Sequence, residues 1–539
     1  MRSLTLFLLG CSEPVPEPTD SVDTASAASV LVPLDAPLLL RRISLDLRGV
    51  VPAAADLDAV AADPAAISDI TLGYLDAPAL EERLIDLLGE RWHTLVDDVT
   101  LQSGEVGLDR TEEFAFERSV GEEPLRLMAH VAVNDLPWTE IVTADYTMTN
   151  PLLAEIWPVE PPGGEGWAVS HYTDGRPAAG VLSTNGLWWR YTTDESNANR
   201  RRAAAISRLL LCEDYFERPI SFSEVDTALD DEALAAALKE NPACTSCHAT
   251  LDPIASALFG FWWFEEHHLD EMAHYHAARE PLGERTLESA PAWFGDPIGG
   301  LIDLGSAVAA DPRFSRCTAE TLAAALWHRP VDLDDFETIE HLDVSFGDSG
   351  MRIKPLLAEI IATEHYQVGG LTEDAGAADE AAVTTRRLLS PDQLADATEA
   401  LTGFVWRSDG FDLMHNDSDG FRVLAGGLDG LTVFSPQREP GLTWALVIKR
   451  LSEAAASYAV GQAVSGSPPP VLAGIDVSIA PDEATLAALH WWLLAREAEA
   501  DWLTKIDALW HAVEALEGPQ VAWTAVLSAL LRDPDFVSF

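Results

Sequence analysis

Leucines recur at spacings of three and four through "APALEERLIDLLGERWHTLVDD": Leu80, Leu84, Leu87 and Leu88 fall on one side, with Glu81, Glu82 and Arg83 between them. That period predicts an amphipathic helix. The same spacing governs "APLLLRRISLDLRGVVPAAADLDAV", where a proline-opened turn leads into a second helix start. Two short helices around a loop are predicted in "PWTEIVTADYTMTNPLLAEIW". A long helix starts near Asn197 in "NANRRRAAAISRLLLCEDYF", and another covers Asp230 to Glu240. Two more follow in "LGSAVAADPRFSRCTAETLAAALWHRP", punctuated by Asp311-Pro312. Towards the C-terminus the pattern is helical in "LLSPDQLADATEALTGF", from Gly441 to Tyr458 and from Asp482 to about Leu516. Long alternating runs are scarce, so the fold class is mainly α, multidomain, with short irregular β elements.

A repeat divides the chain. Leu356, Leu357, Ile360, Ile361 and Tyr366 recur as Val526, Leu527, Leu530, Leu531 and Phe536. Each set describes an amphipathic helix, a polar turn and an aromatic plug. The acidic, Gly/Ala-rich stretch from Gly369 reads as a linker. The expected organisation is therefore a leader at 1–11, a tether at 12–29, a helical domain at 30–160, a second helical region at 161–368 opening on the Gly/Pro-rich "PPGGEGW", a linker at 369–385 and a C-terminal helical domain at 386–539.

Charge changes the picture. The 539 residues carry 88 acidic and 34 basic side chains, a net of −54, and only four of the bases are lysine. Such a surface repels nucleic acid and anionic headgroups, and attracts cations or a basic partner protein. The beginning, "MRSLTLFLLGCSEPVPEPTD", has one arginine, a short apolar run and then Gly10-Cys11. The run is too short to span a bilayer and fits a secretory signal. Leu8-Leu9-Gly10-Cys11 resembles a bacterial lipobox, which predicts lipidation at Cys11 and a bacterial cell-envelope location, membrane-bound through that anchor alone, with the following polar stretch as a tether.

The chemistry concentrates in "NPACTSCHATLDP", which sets Cys244 and Cys247 three positions apart with His248 next. Haem c is attached through two such cysteines, and the histidine becomes the proximal iron ligand. A zinc site would need two further ligands, with Cys212 and Cys317 the available cysteines. A redox dithiol would need a βαβ setting. The sixth iron ligand is open among Met272, His267, His268, His274 and His276, with Met272 the leading candidate; Trp262 and Trp263 would wall the pocket. In an oxidising compartment Cys212 and Cys317 are expected to form a disulfide. No GxSxG, Walker A or HExxH motif occurs.

"NPACTSCHATLDPIASALFGF" resembles the haem motif of planctomycete-type cytochrome c proteins. "LLRRISLDLRGVVPAAADLDA", "EIVTADYTMTNPLLAEIW" and "DPRFSRCTAETLAAALWHRPVD" resemble other segments of that family, so the likeness spans most of 38–366. Departures fall at Leu251 and at Trp327-His328, where a small loop is usual. The resemblance implies an exported multidomain protein built largely of domains of unknown function, with one haem c in a cytochrome-c-like segment. Electron transfer to a basic redox partner is the leading expectation. A haem-dependent oxidoreductase or peroxidase acting on a small molecule or envelope polymer is the alternative, and a non-catalytic envelope scaffold the third.

Overall fold

The computed structural model describes residues 30–96, 107–217, 240–264, 268–376, 383–384, 386–417 and 420–539. The segments predicted as leader and tether, Cys11 included, most of the Asp230–Glu240 helix, and His267 lie outside the described residues. Among the described residues there are 23 α-helices and four two-stranded antiparallel pairs. The chain is mainly α.

Apolar side chains gather in two cores. The first runs from Leu40 to Tyr366 and takes residues from both the 30–160 and the 161–368 segments. The second is built from Leu389 to Val537 with Leu45 and Val51 added. The helix Ala36–Arg48 therefore serves both: Leu40, Ile43 and Leu47 enter the first core, and Leu45 enters the second. It stops at Gly49, whose φ of 72° is the left-handed conformation glycine adopts without steric cost.

The two cores are framed alike. In the first, the strand Leu31–Pro33 precedes the helix Ala36–Arg48 and pairs antiparallel with Val368–Leu371. In the second, Leu388 precedes the helix Pro391–Thr402 and bridges Ser538, flanked by Arg387 N–H donating to Phe539 O at 2.8 Å and Leu389 N–H to Val537 O at 3.0 Å. The repeated sets occupy matching places. The helix Ile353–Ala362 leads to the Tyr366 plug and the helix Pro519–Leu530 to the Phe536 plug, and all ten repeated positions are buried. Gly369 to Leu371, at the start of the expected linker, belong to a strand.

Adjacent arginines tie the two frames together. Arg42 Nη1 donates to the carbonyls of Tyr366 and Val368 at 2.7 and 2.8 Å. Arg41 Nη2 donates to Phe536 O at 2.8 Å and its Nη1 to Ser538 O at 3.2 Å. The two targets are thus the corresponding backbone positions of the two repeats. Asp46, fully buried one turn on, accepts from Tyr366 OH at 2.9 Å and His328 Nε2 at 3.2 Å, and lies 3.4 Å from Arg387 Nη1. Burial would raise the Asp46 pKa, but the His328 bond and the charges of Arg387 and Arg83 hold it below the ordinary carboxylate value. Burial lowers His328 to about 4, so this imidazole is neutral and donates to an ionised Asp46.

The structure departs from the periodicity reading in three places. Asp482 to Leu516 forms two helices, Glu483–Leu494 and Ala500–Glu517, because Ala495 turns left-handed at φ 54°. A buried strand, Thr147–Thr149, sits between the helices Glu140–Thr143 and Pro151–Ile156, paired with Ala168–Ser170. The longest helix, Arg110–Val133, has no clear apolar stripe in sequence and carries Pro124 inside it. It is buried on nearly all sides, and its charges are paired internally: Arg126 bonds both Glu82 and Glu122, and Glu123 accepts from Thr147, Tyr172 and the Gly186 N–H.

Removing one member of a buried charged group leaves the others unsatisfied, at a cost of about 3–5 kcal/mol. Asp46→Ala is expected to lose that much in urea unfolding. Lys354→Ala, which breaks a pair to the 77%-exposed Asp76, loses less than about 1 kcal/mol. His328 adds a pH dependence. Its folded pKa of about 4 lies below the ordinary 6.5, so between these values the unfolded chain binds the extra proton. Stability should fall as pH drops through that window, and His328→Gln should flatten that slope.

Candidate functional site

Cys244, Cys247 and His248 lie in the helix Pro242–Ser256. Positions three apart share a helix face, so both thiols project to one side and the imidazole follows on the adjoining position. Both cysteines are free and half-buried, and Cys247 packs against the first core. Further along, Leu251, Ile254 and Ala255 are buried and anchor the helix. Gly283 packs so closely on Ser256 that a Cβ there would lie 2.2 Å from the Ser256 carbonyl oxygen.

His248 is oriented from its own helix. Its Nδ1 lies 3.0 Å from Asp252 Oδ1, one turn on. Asp252 in turn accepts from Arg200 Nε at 2.6 Å and Nη2 at 3.2 Å, a two-pronged clamp from the first residue of the helix Arg200–Leu211. Burial would raise the Asp252 pKa, but the bonds from His248 and Arg200 outweigh it and keep the group below its usual value. An ionised carboxylate at Nδ1 selects the tautomer with the proton on Nδ1 and leaves Nε2 as the lone-pair nitrogen. That is the nitrogen an iron would take. Asp252 escapes a reading for motif residues because it bonds the histidine from outside the motif; its sequence signal is a carboxylate four residues after the histidine on a helix.

The other predicted residues are placed as follows. Cys212 and Cys317 form a disulfide, with Cα atoms 5.2 Å apart. It joins the end of the helix Arg200–Leu211 to the helix Pro312–Trp327. With these cysteines paired, they do not complete a four-cysteine zinc site with Cys244 and Cys247, and no βαβ unit surrounds the motif among the described residues. Among those residues, too, no group of three or more His, Cys, Asp or Glu is arranged to hold a metal ion. Met272 is buried in the short helix Leu269–Met272, and its carbonyl accepts the Trp189 indole N–H at 2.9 Å. His268 and His274 are exposed, and His276 directs Nε2 to the Glu271 carbonyl at 2.9 Å. Trp262 and Trp263 are buried: Trp262 stacks on Phe259, and the Arg202 guanidinium lies over Trp263. Beside them Gly260 accommodates the Tyr275 ring, which a Cβ would meet at 2.0 Å.

Residues 178–263, which span the CxxCH and the clamp, match PSCyt3, a protein of unknown function (DUF1588). This segment is thus similar to a planctomycete cytochrome-c-associated domain of unknown function. No curated protein and no solved structure matches the chain significantly. No helix among the described residues is long and apolar enough to cross a membrane.

The disulfide closes a loop of about a hundred residues around the motif, worth about 4–5 kcal/mol in the chain-entropy account. Cys212→Ser/Cys317→Ser should lose stability on that scale in denaturant unfolding under oxidising conditions. The two proteins should converge when reductant is added; an undiminished difference would count against the link.

Proposed function

We propose that this protein is a c-type cytochrome of a bacterial cell envelope, carrying electrons through one covalently attached haem c. The carrying observation is the combination on one helix of Cys244, Cys247 and His248, with the His248 Nδ1 engaged by Asp252 and Nε2 left as a lone-pair donor. These residues fit the group: two half-buried free thiols on one face for thioether bonds, and an oriented imidazole beside them for the iron. When bound, the haem would supply one-electron redox chemistry. The chain's part is to hold and tune it. Arg200 fixes Asp252, Asp252 fixes the imidazole plane and would strengthen it as a metal donor, and a stronger donor favours the oxidised metal. The strongly negative chain would steer a basic redox partner. Met272 is the proposed distal ligand. That assignment is tested by Met272→Ala, which should turn a six-coordinate spectrum into a ligand-accessible one.

The Asp252–His248 bond also favours a second reading, a haem-dependent oxidoreductase or peroxidase, because a carboxylate-bonded histidine stabilises higher metal oxidation states. Binding of cyanide or carbon monoxide to the wild type distinguishes the two: an electron carrier resists both.

The envelope assignment rests on Leu8-Leu9-Gly10-Cys11. A diacylglyceryl group on Cys11 would supply the two chains that stable anchoring needs. Cys11→Ala should release the protein from the membrane fraction, or leave it unprocessed, with mass spectrometry of the mature N-terminus as the direct check.

The central test is expression with the cytochrome c maturation machinery, followed by haem staining of a denaturing gel and a pyridine haemochrome spectrum. One haem per chain is expected, abolished by Cys244→Ala/Cys247→Ala; a colourless, unstained wild-type band ends the reading. Asp252→Asn should retain the haem and raise its midpoint potential.

A further inference from the structure

Between the two cores lies a cavity of about 430 Å³, within the range of small-molecule sites. Six arginines line it: Arg83, Arg91, Arg329, Arg386, Arg387 and Arg438. That is six of the 30 arginines in the chain (34 Lys and Arg less four Lys), and the chain as a whole carries −54. Its acidic lining is slight. Of its two carboxylates, Glu320 is engaged by Arg316 Nε at 2.9 Å, and burial holds the Glu90 pKa above its ordinary value. The cavity beside Arg48 and Arg118 differs: it is walled by Glu82, Asp86, Glu122, Asp396 and Glu399.

The arginines are not all matched. Arg329 is paired with Asp335 through two bonds of 2.6 and 2.7 Å, and Arg386 is paired with Asp535 at 2.7 Å. Arg387, whose side chain is completely buried, reaches Leu326 O and Asp46 with Nη1 alone; its Nε and Nη2 have no hydrogen-bond partner among the described residues. Arg91 gives Nη2 to the Arg208 carbonyl at 2.6 Å, and its buried Nε has no hydrogen-bond partner among the described residues. Asp46, the nearest counter-charge to Arg387, is shared with His328 and Tyr366. A buried guanidinium with two open donors is costly unless an acceptor arrives, and its fork is matched by carboxylate and phosphate oxygens. Leu87, Ala325, Val331 and Leu389 complete an apolar part of the wall.

We infer that this cavity is a binding site for a small organic anion, an apolar body carrying a carboxylate or phosphate group that the half-buried Arg91 and the exposed Arg438 receive, with the buried Arg387 adding positive charge behind the wall. It is separate from the CxxCH helix, none of whose residues line it, and the inference does not depend on haem.

The test is isothermal titration of the full chain with benzoate and phenyl phosphate, with neutral benzamide as control and inorganic phosphate to separate the anionic group from the apolar body. Saturable binding of benzoate or phenyl phosphate is expected, weaker binding of inorganic phosphate, and none of benzamide. Arg91→Gln should weaken the bound anion by about tenfold or more, the scale of a charge-assisted hydrogen bond, and Arg387→Met, which removes only the charge behind the wall, by less. Arg387→Met removes a buried group, so circular dichroism must first show it folded. The exposed Arg438→Gln supplies a variant that perturbs no core, with a smaller, salt-sensitive loss expected. Equal binding of benzamide, unaltered affinity in Arg91→Gln and Arg438→Gln, or no binding of any anionic probe would overturn the assignment.

Discussion

Two neighbouring arginines on a helix buried between two cores hold this architecture. Arg41 and Arg42 reach opposite ways, each to the backbone that follows an aromatic plug, Phe536 on one side and Tyr366 on the other. Consecutive residues on a helix point about 100° apart, so a single turn can serve both repeats only if it lies between them. Asp46, His328, Tyr366 and Arg387 then form around that turn because the charges brought inside need partners. The cavity between the cores follows from the same placement: it lies where Arg387 and Arg83 border the seam.

The helix Arg200–Leu211 links the two regions of chemical interest. Its first residue clamps Asp252 and so orients His248, while Cys212, at its C-terminal cap, joins the disulfide and borders the arginine-lined cavity. Arg202 within it is fully buried and donates to Tyr191 O and Phe261 O, which fixes the helix against the aromatic segment after the CxxCH. The orientation of the imidazole is therefore set by the packing of a neighbouring helix and not by the motif alone.

Period and punctuation made the helical class legible, and the local CxxCH motif was legible because its chemistry depends on spacing within one turn. The Tyr366 and Phe536 plugs could be read for the same reason. Arg41 and Arg42 could not. In sequence they look like a solvated break in an apolar run; what makes them interior is backbone 324 to 497 residues away, Tyr366 and Val368 for Arg42, Phe536 and Ser538 for Arg41. The helix Arg110–Val133 was hidden because a helix buried all round needs no stripe, and its glutamates and arginines find partners on other elements. His328 showed only as a departure from a family pattern, with nothing local to announce Asp46 as its partner. The cavity draws its lining from segments scattered between Arg83 and Arg438, so no linear motif could have signalled it.

The disulfide has a consequence for isomer choice. Four cysteines can pair in three ways, and the 105-residue link between Cys212 and Cys317 selects the one that leaves Cys244 and Cys247 only each other. Within that link Cys317 is 2% exposed, whereas Cys212 is half-exposed, as both motif cysteines are. A thiolate from solution can thus approach the long link on its Cys212 side, and Cys317 is the sulfur kept from it. The fold holds two sulfur populations: one bonded as part of the framework, the other two thiols left free on one helix for whatever bonds them next.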